Sequence, residues 1–115
     1  MKKQIVFLTF LGLLFSYSGC SAQQSQTLPY AQSFLVDVRT PQEFKEGTVM
    51  GAINIPLDVL GKRLNEFKNK KQIVVFCRSG SRSSQAYELL KRNGFQNVIN
   101  GGTWQLVQQQ LNSGK

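Results

Sequence analysis

The reactive residue types of this chain gather in one short stretch, Cys77-Arg78-Ser79-Gly80-Ser81-Arg82. The 115 residues include no histidine, so no Ser-His-Asp triad, Cys-His pair or imidazole metal site can be built, and a thiol here must ionise without a general base. The local sequence offers a substitute. Gly80 opens backbone angles closed to other residues, which lets successive amide N–H groups turn inward as an anion-binding nest. A helix starting just after it would add about half a positive charge and unpaired donors, and two guanidinium groups flank the loop. A free thiol has a pKa of about 8.5, and such surroundings lower it; each unit is worth about 1.4 kcal/mol of preference for thiolate. A free cysteine can equally be a small buried hydrophobe, but glycine and paired arginines around Cys77 point to a nucleophile.

The surrounding pattern predicts what must hold that loop. Phe34-Leu35-Val36-Asp37-Val38 is a short apolar run suited to a strand buried on both faces. Thr40-Pro41-Gln42-Glu43 supplies an N-cap, a proline at the first helical position and a carboxylate at the third, with a helix ending near Gly47. Ala52 to Ile55 reads as a second strand. Leu57, Leu60, Leu64 and Phe67 recur at helical spacing and predict one amphipathic helix. Gln72 to Phe76 is a third strand, and Ser83 to Asn93 a helix with Ala86, Leu89 and Leu90 inward and Gly94 as its stop. Asn97 to Asn100 is a fourth strand. Gly101-Gly102 is expected to turn the chain into a last segment, Trp104 to Leu111, with Leu106, Val107 and Leu111 on one side. Alternating strands and helices indicate an α/β fold, a parallel sheet covered on both faces, with ligands bound beyond the carboxyl ends of the strands. The loop after Phe76 lies there.

Four ordered motifs carry a family resemblance: Asp37 to Phe44, Gly51 to Pro56, Val75 to Ser83, and Gly101-Gly102 with Trp104. Together they resemble a single-domain rhodanese, over about Phe34 to Leu111. The resemblance implies a thiosulfate sulfurtransferase or persulfide carrier that moves sulfane sulfur to a thiol or cyanide acceptor. Cys77 would accept the sulfur, Arg78 and Arg82 would bind the sulfonate of the donor or steady the anion, and Ser79, Gly80 and Ser81 would offer backbone N–H groups; Arg82, at the helix start, has the alternative of pairing with a carboxylate and holding the shape of the loop. Asp37 and Arg39 would be structural, Arg39 pairing with Asp37 or Glu43. No cofactor or metal is expected. Two departures stand out: Gly47-Thr48-Val49 where the family usually has Gly-His-Ile, and only Leu28 to Ser33 where an extra strand and helix normally open the domain, so the rhodanese-like sheet is expected to be N-terminally shortened, with one edge either uncovered or covered by a partner.

The N-terminus reads as an address. Lys2 and Lys3 precede an apolar run from Ile5 to Phe15, a secretory layout; at about 1.5 Å per residue the run reaches roughly 16 Å, half of a bilayer core. Ser18-Gly19-Cys20-Ser21 resembles a bacterial lipobox with Cys20 as the lipidated residue, and cleavage after Ala22 is the alternative. Residues 1–20 are therefore expected to be a leader, 21–33 a Ser- and Gln-rich tether with a short N-terminal segment, and 34–112 the domain, placed in the periplasm or cell envelope with the membrane touched only through the anchor. Loss of Lys2 and Lys3 would leave twelve basic and six acidic residues, a charge of +6 that favours anionic partners. Only Cys77 remains beyond Cys20, so no intrachain disulfide can staple the domain. Lys68, Lys70 and Lys71 read as a solvated face, and without interleaved aromatic platforms nucleic acid is not expected. Rival readings are a catalytically silent rhodanese-like binding module and a phosphatase. The phosphatase loop is C-x5-R, and the C-x4-R ring here is one residue, about 3.5 Å of chain, shorter. With no C-x-x-C, a thioredoxin-like oxidoreductase is disfavoured.

Overall fold

The structure is a computed structural model that describes residues 27–114. Four parallel strands, β1 (Phe34–Asp37), β2 (Ile53–Asn54), β3 (Ile73–Cys77) and β4 (Val98–Thr103), form a sheet in the order β2-β1-β3-β4. Central β3 is buried at every position, and its apolar residues divide by the two-residue period of a strand. Ile73, Val75 and Cys77 join Val36, Val38, Leu60, Phe67, Ala86 and Leu90 on one face. Val74 and Phe76 join Leu35, Val49 and Val107 on the other. The first face is covered by α2 (Leu57–Leu60) and α3 (Ser81–Arg92), the second by α4 (Trp104–Ser113) and a single 3-10 turn (Tyr30–Gln32).

Helix α1 (Pro41–Glu46) begins as expected, with Thr40 and Glu43 closing a reciprocal capping box and Pro41 in its first turn. The expected helix from Leu57 to Phe67 is instead two pieces, α2 and a 3-10 turn (Leu64–Phe67). Gly61 follows α2, Lys62 and Arg63 donate to Val59 and Leu60 in three-residue steps, and Arg63 leaves helical angles. Glycine is about 1 kcal/mol poorer than alanine in a helix, so the ladder breaks there while all four apolar residues still reach one core.

Gly101 and Gly102 do not turn the chain; they lie within β4. Val75 pairs with Asn100 and Phe76 with Gly102, which leaves Gly101 as the extra residue of a bulge. A Cβ on Gly101 would fall 2.7 Å from Val107 Cγ2 and 2.9 Å from Val74 Cγ1, so α4 crosses the strand at a distance that only glycine permits. Thr103 caps α4 through Leu106 N–H at 3.2 Å. That start turns Trp104, Val107 and Leu111 inward and leaves Leu106 52% exposed, contrary to the expected inward face.

Before β1 the chain is fastened by Gln72, whose side chain accepts from Leu28 N–H at 2.9 Å and donates to Leu28 C=O at 2.8 Å. With only one turn of chain there, a groove of about 830 Å³ stays open beside Leu28, Tyr30, Leu35, Ile99 and Leu111. Among the described residues no strand pairs with the outer edge of β4.

Candidate active site

Cys77 ends β3, and the chain turns through Arg78, Ser79 and Gly80 into α3. Gly80 is the N-cap in the left-handed region, φ 97° and ψ −14°, where a side chain would cost about 1 kcal/mol or more. That conformation aims amide groups back at the sulfur. Gly80 N–H donates to Cys77 Sγ at 2.9 Å and Ser83 N–H at 3.3 Å. Ser83 is buried, and its hydroxyl donates to Gly80 C=O at 3.0 Å, which ties the first turn of α3 to the loop.

Burial pushes the Cys77 thiol up, but donors outweigh it: the backbone and side chain of Ser83 and the backbone N–H groups of Gly80 and Ser79 bring its pKa below the ordinary thiol value. The residue is 0% exposed, so the sulfur sits among polar donors at the floor of the loop rather than against open solvent. Arg78, Ser79 and Ser81 are exposed at the rim. Arg78 makes no side-chain hydrogen bond or ion pair among the described residues.

Arg82 is placed as in the second of its two readings, paired with a carboxylate at the start of α3. Its guanidinium grips Glu43 of α1 with both nitrogens, at 2.7 and 3.0 Å. Hydrogen bonds from Arg82 and from Thr40 N–H hold Glu43 down to about 2, and Arg82 is raised chiefly by Glu43, with the Cys77 charge adding to it. Arg82 thus joins two helices across the mouth of the loop. Asp37 and Arg39 form a second, buried clamp: Arg39 Nη2 meets Asp37 Oδ2 at 2.8 Å and donates to Gly47 C=O at 2.6 Å. The Arg39 guanidinium also lies 5.6 Å from the Trp104 ring centroid. Thr48, where the resemblance would put histidine, donates its hydroxyl to Asp37 Oδ2 at 2.7 Å. Cys20 lies outside the described residues.

Three participants were not singled out from sequence. Ser83 carries no signal beyond its position in the first turn of a helix. Glu43 caps α1, as its spacing from Thr40 predicts, but its ion-pair partner is Arg82 rather than Arg39. Thr48 departs from the family pattern, yet its hydroxyl meets the Asp37 carboxylate. No three His, Cys, Asp or Glu side chains are grouped to hold a metal among the described residues.

A parallel α/β sheet that ends in a thiol held by loop and helix amides defines an anion-binding cysteine site of the rhodanese kind. Residues 21–105 match the Rhodanese-like domain family, and the chain belongs to it. A sulfurtransferase of Allochromatium vinosum is 38% identical over 66 residues, 57% of this chain and 62% of that protein. The thiosulfate sulfurtransferase PspE of Escherichia coli is 36% identical over 75 residues, 64% of this chain and 72% of that protein. The uncharacterized protein YqhL of Bacillus subtilis is 39% identical over 62% of this chain and 56% of its own length, so the chain spans less than two thirds of several relatives. Among solved structures, human single-domain sulfurtransferase TSTD1 superposes with a TM-score of 0.59 at 31% identity, covering 66% of this chain and 80% of that one. A rhodanese from E. coli solved with anions gives 0.58 at 35%, covering 63% and 87%. Of these bacterial relatives, two are named as sulfurtransferases.

Proposed function

We propose that the protein is a thiosulfate-type sulfurtransferase in which Cys77 carries sulfur as a persulfide. The Cys77 thiolate attacks the outer sulfur of thiosulfate, a carbon-bound S–S bond forms, and sulfite leaves with the electron pair of the bond that breaks. A thiolate or cyanide acceptor then attacks the terminal sulfur and the Cys77 thiolate is released, so each step exchanges one anion for another and needs no proton. Exposed Arg78 meets the sulfonate at the rim, and the N–H groups at Sγ hold the anionic carrier. The observation that carries this reading is the pair of amide donors on Cys77 Sγ. Thiosulfate treatment followed by intact mass is expected to add one sulfur atom in the wild type and none in Cys77→Ser; a gain that survives the substitution overturns it.

The full burial of Cys77 favours one second reading, a rhodanese-like module that binds anions or a partner without turnover. Sustained thiocyanate release from thiosulfate and cyanide separates the two. The leader features support export and attachment to the envelope through lipidated Cys20. Fatty-acid labelling that persists in Cys20→Ser, or a mature mass that begins after Ala22, would remove the anchor.

A further inference from the structure

The charges of the described domain are segregated along the strand direction. In a parallel sheet every strand starts at one end, and here that end is bounded by the loops before β3 and β4 and by the last turn of α3. Lys68, Lys70, Lys71, Lys91 and Arg92 all lie there and all are exposed. The two loops are joined: Asn97 donates its side-chain amide to Lys70 C=O, and Ile73 N–H donates to Asn97 C=O at 2.8 Å. Lys70 Nζ is held 4.4 Å from the Phe34 ring centroid, at the first residue of β1.

Little acid opposes this patch. Glu66 is occupied by Arg63 at 2.5 and 3.0 Å, and Glu88, one turn before Arg92, offsets a single charge. Asp37 and Glu43 are engaged at the opposite, Cys77 end, and Asp58 opens α2 after the carboxyl end of β2.

The same end is where the chain enters the domain. Leu28 is fastened to Gln72, the neighbour of Lys71. From Cys20 to Leu28 there are eight residues, which span at most about 28 Å, and the apolar run from Ile5 to Phe15 lies just before. A leader held in a bilayer would pull on the domain at this end, where Leu28 is fastened.

We propose that the amino end of the sheet is a membrane-facing surface that docks Lys68, Lys70, Lys71, Lys91 and Arg92 on anionic phospholipid headgroups, so that the Cys77 loop points away from the bilayer. Tether length and charge complementarity act together: the tether raises the local concentration of the patch at the surface, and each lysine near an anionic leaflet contributes a factor of about five to occupancy of the docked orientation. With β3 lying between patch and loop, Cys77 stands about 13 Å further out than the start of that strand.

The test uses the full chain in vesicles of phosphatidylcholine, with or without about one third phosphatidylglycerol, and reads amine acylation of each lysine by peptide mass. Lys70 and Lys71 are expected to react about fivefold or more slowly on the anionic vesicles at low salt, with recovery at roughly 0.5 M salt. Lys45 and Lys62, outside the patch, should react equally in both. Lys68→Gln combined with Lys71→Gln should weaken docking about 25-fold and lower the protection of Lys70 with it, while sulfur loading of Cys77 is unchanged. Equal protection on neutral vesicles, no protection on anionic ones, or protection centred on Lys45 would each overturn the proposal.

Discussion

The Glu43–Arg82 pair decides whether Arg82 contacts the donor or shapes the loop, and Glu43→Gln is the perturbation that tells the two apart. The carboxylate accepts from both guanidinium nitrogens and from Thr40 N–H and Oγ1, the latter two at 3.1 Å. Glutamine keeps an acceptor for the capping box and removes the charge that Arg82 grips. A carboxyl lowered from 4.5 to about 2 corresponds to about 3.5 kcal/mol at 1.4 per unit. The Arg82 and Glu43 side chains are 32% and 21% exposed, and solvent screening reduces the figure to about 1–2 kcal/mol.

Because the folded pKa lies below the unfolded one, this stability is complete above about 4.5 and is lost as pH falls through 4.5 towards 2. Urea unfolding at neutral pH should therefore show Glu43→Gln less stable by about 1–2 kcal/mol, and the deficit should shrink towards pH 2. A cycle with Arg82→Met should return a similar coupling. In sulfur loading, a positioning role for Arg82 predicts a slower rate for Glu43→Gln, because the first turn of α3 that carries Ser83 N–H is no longer tied to α1. A donor contact predicts the reverse, since the substitution frees a guanidinium beside the site. Coupling below about 0.5 kcal/mol, or faster loading in Glu43→Gln, would refute the positioning argument.

Gly101→Ala places a methyl group against Val107 and Val74 and should cost about 1–3 kcal/mol in urea unfolding; a neutral effect would mean that α4 can lift from β4. Alkylation of Cys77, followed by peptide mass so that Cys20 is read separately, should rise with a midpoint below that of a free thiol, because the amides of Ser83, Gly80 and Ser79 favour the thiolate; a midpoint at or above the free value contradicts this. Thr48→Val deprives Asp37 of a donor at 2.7 Å and should lower stability by about 1–3 kcal/mol, whereas Thr48→Ser should not.

The elements nearest the site were the most legible, because each is written in local chemistry. The capping box at Thr40 and Glu43 and the apolar run of β3 need no distant partner to be read. What escaped the sequence depends on packing between distant segments. The identical glycines of Gly101-Gly102 look like a turn until α4 is seen to require the missing side chain of the first. Leu57 to Phe67 keeps helical spacing because a broken helix can present the same apolar face. Leu106 faces solvent since Thr103, as N-cap, sets the phase of α4 and gives the inward positions to Trp104, Val107 and Leu111. For the site, the loop residues were legible as a group, but Glu43 as a partner for Arg82 was not, since 39 residues separate them.

Strand register then explains how a carboxylate and a thiolate can share one end of so small a sheet. Asp37 pairs with Phe76, one residue before Cys77, so both acidic groups arrive at the same height. Alternation sends Asp37 to the face of Leu35 and Phe76, while Cys77 falls on the face of Val36 and Val38. The backbone of the sheet lies between them, and Arg39 neutralises the carboxylate on its own side. A one-residue slip of β1 against β3 would exchange the faces, bring the Asp37 charge beneath the sulfur and oppose the thiolate that the Gly80 and Ser83 amides favour. The lowering of the Cys77 thiol is thus a property of the β1–β3 register as well as of its loop, and the buried valines flanking Asp37 act on the chemistry by holding that register.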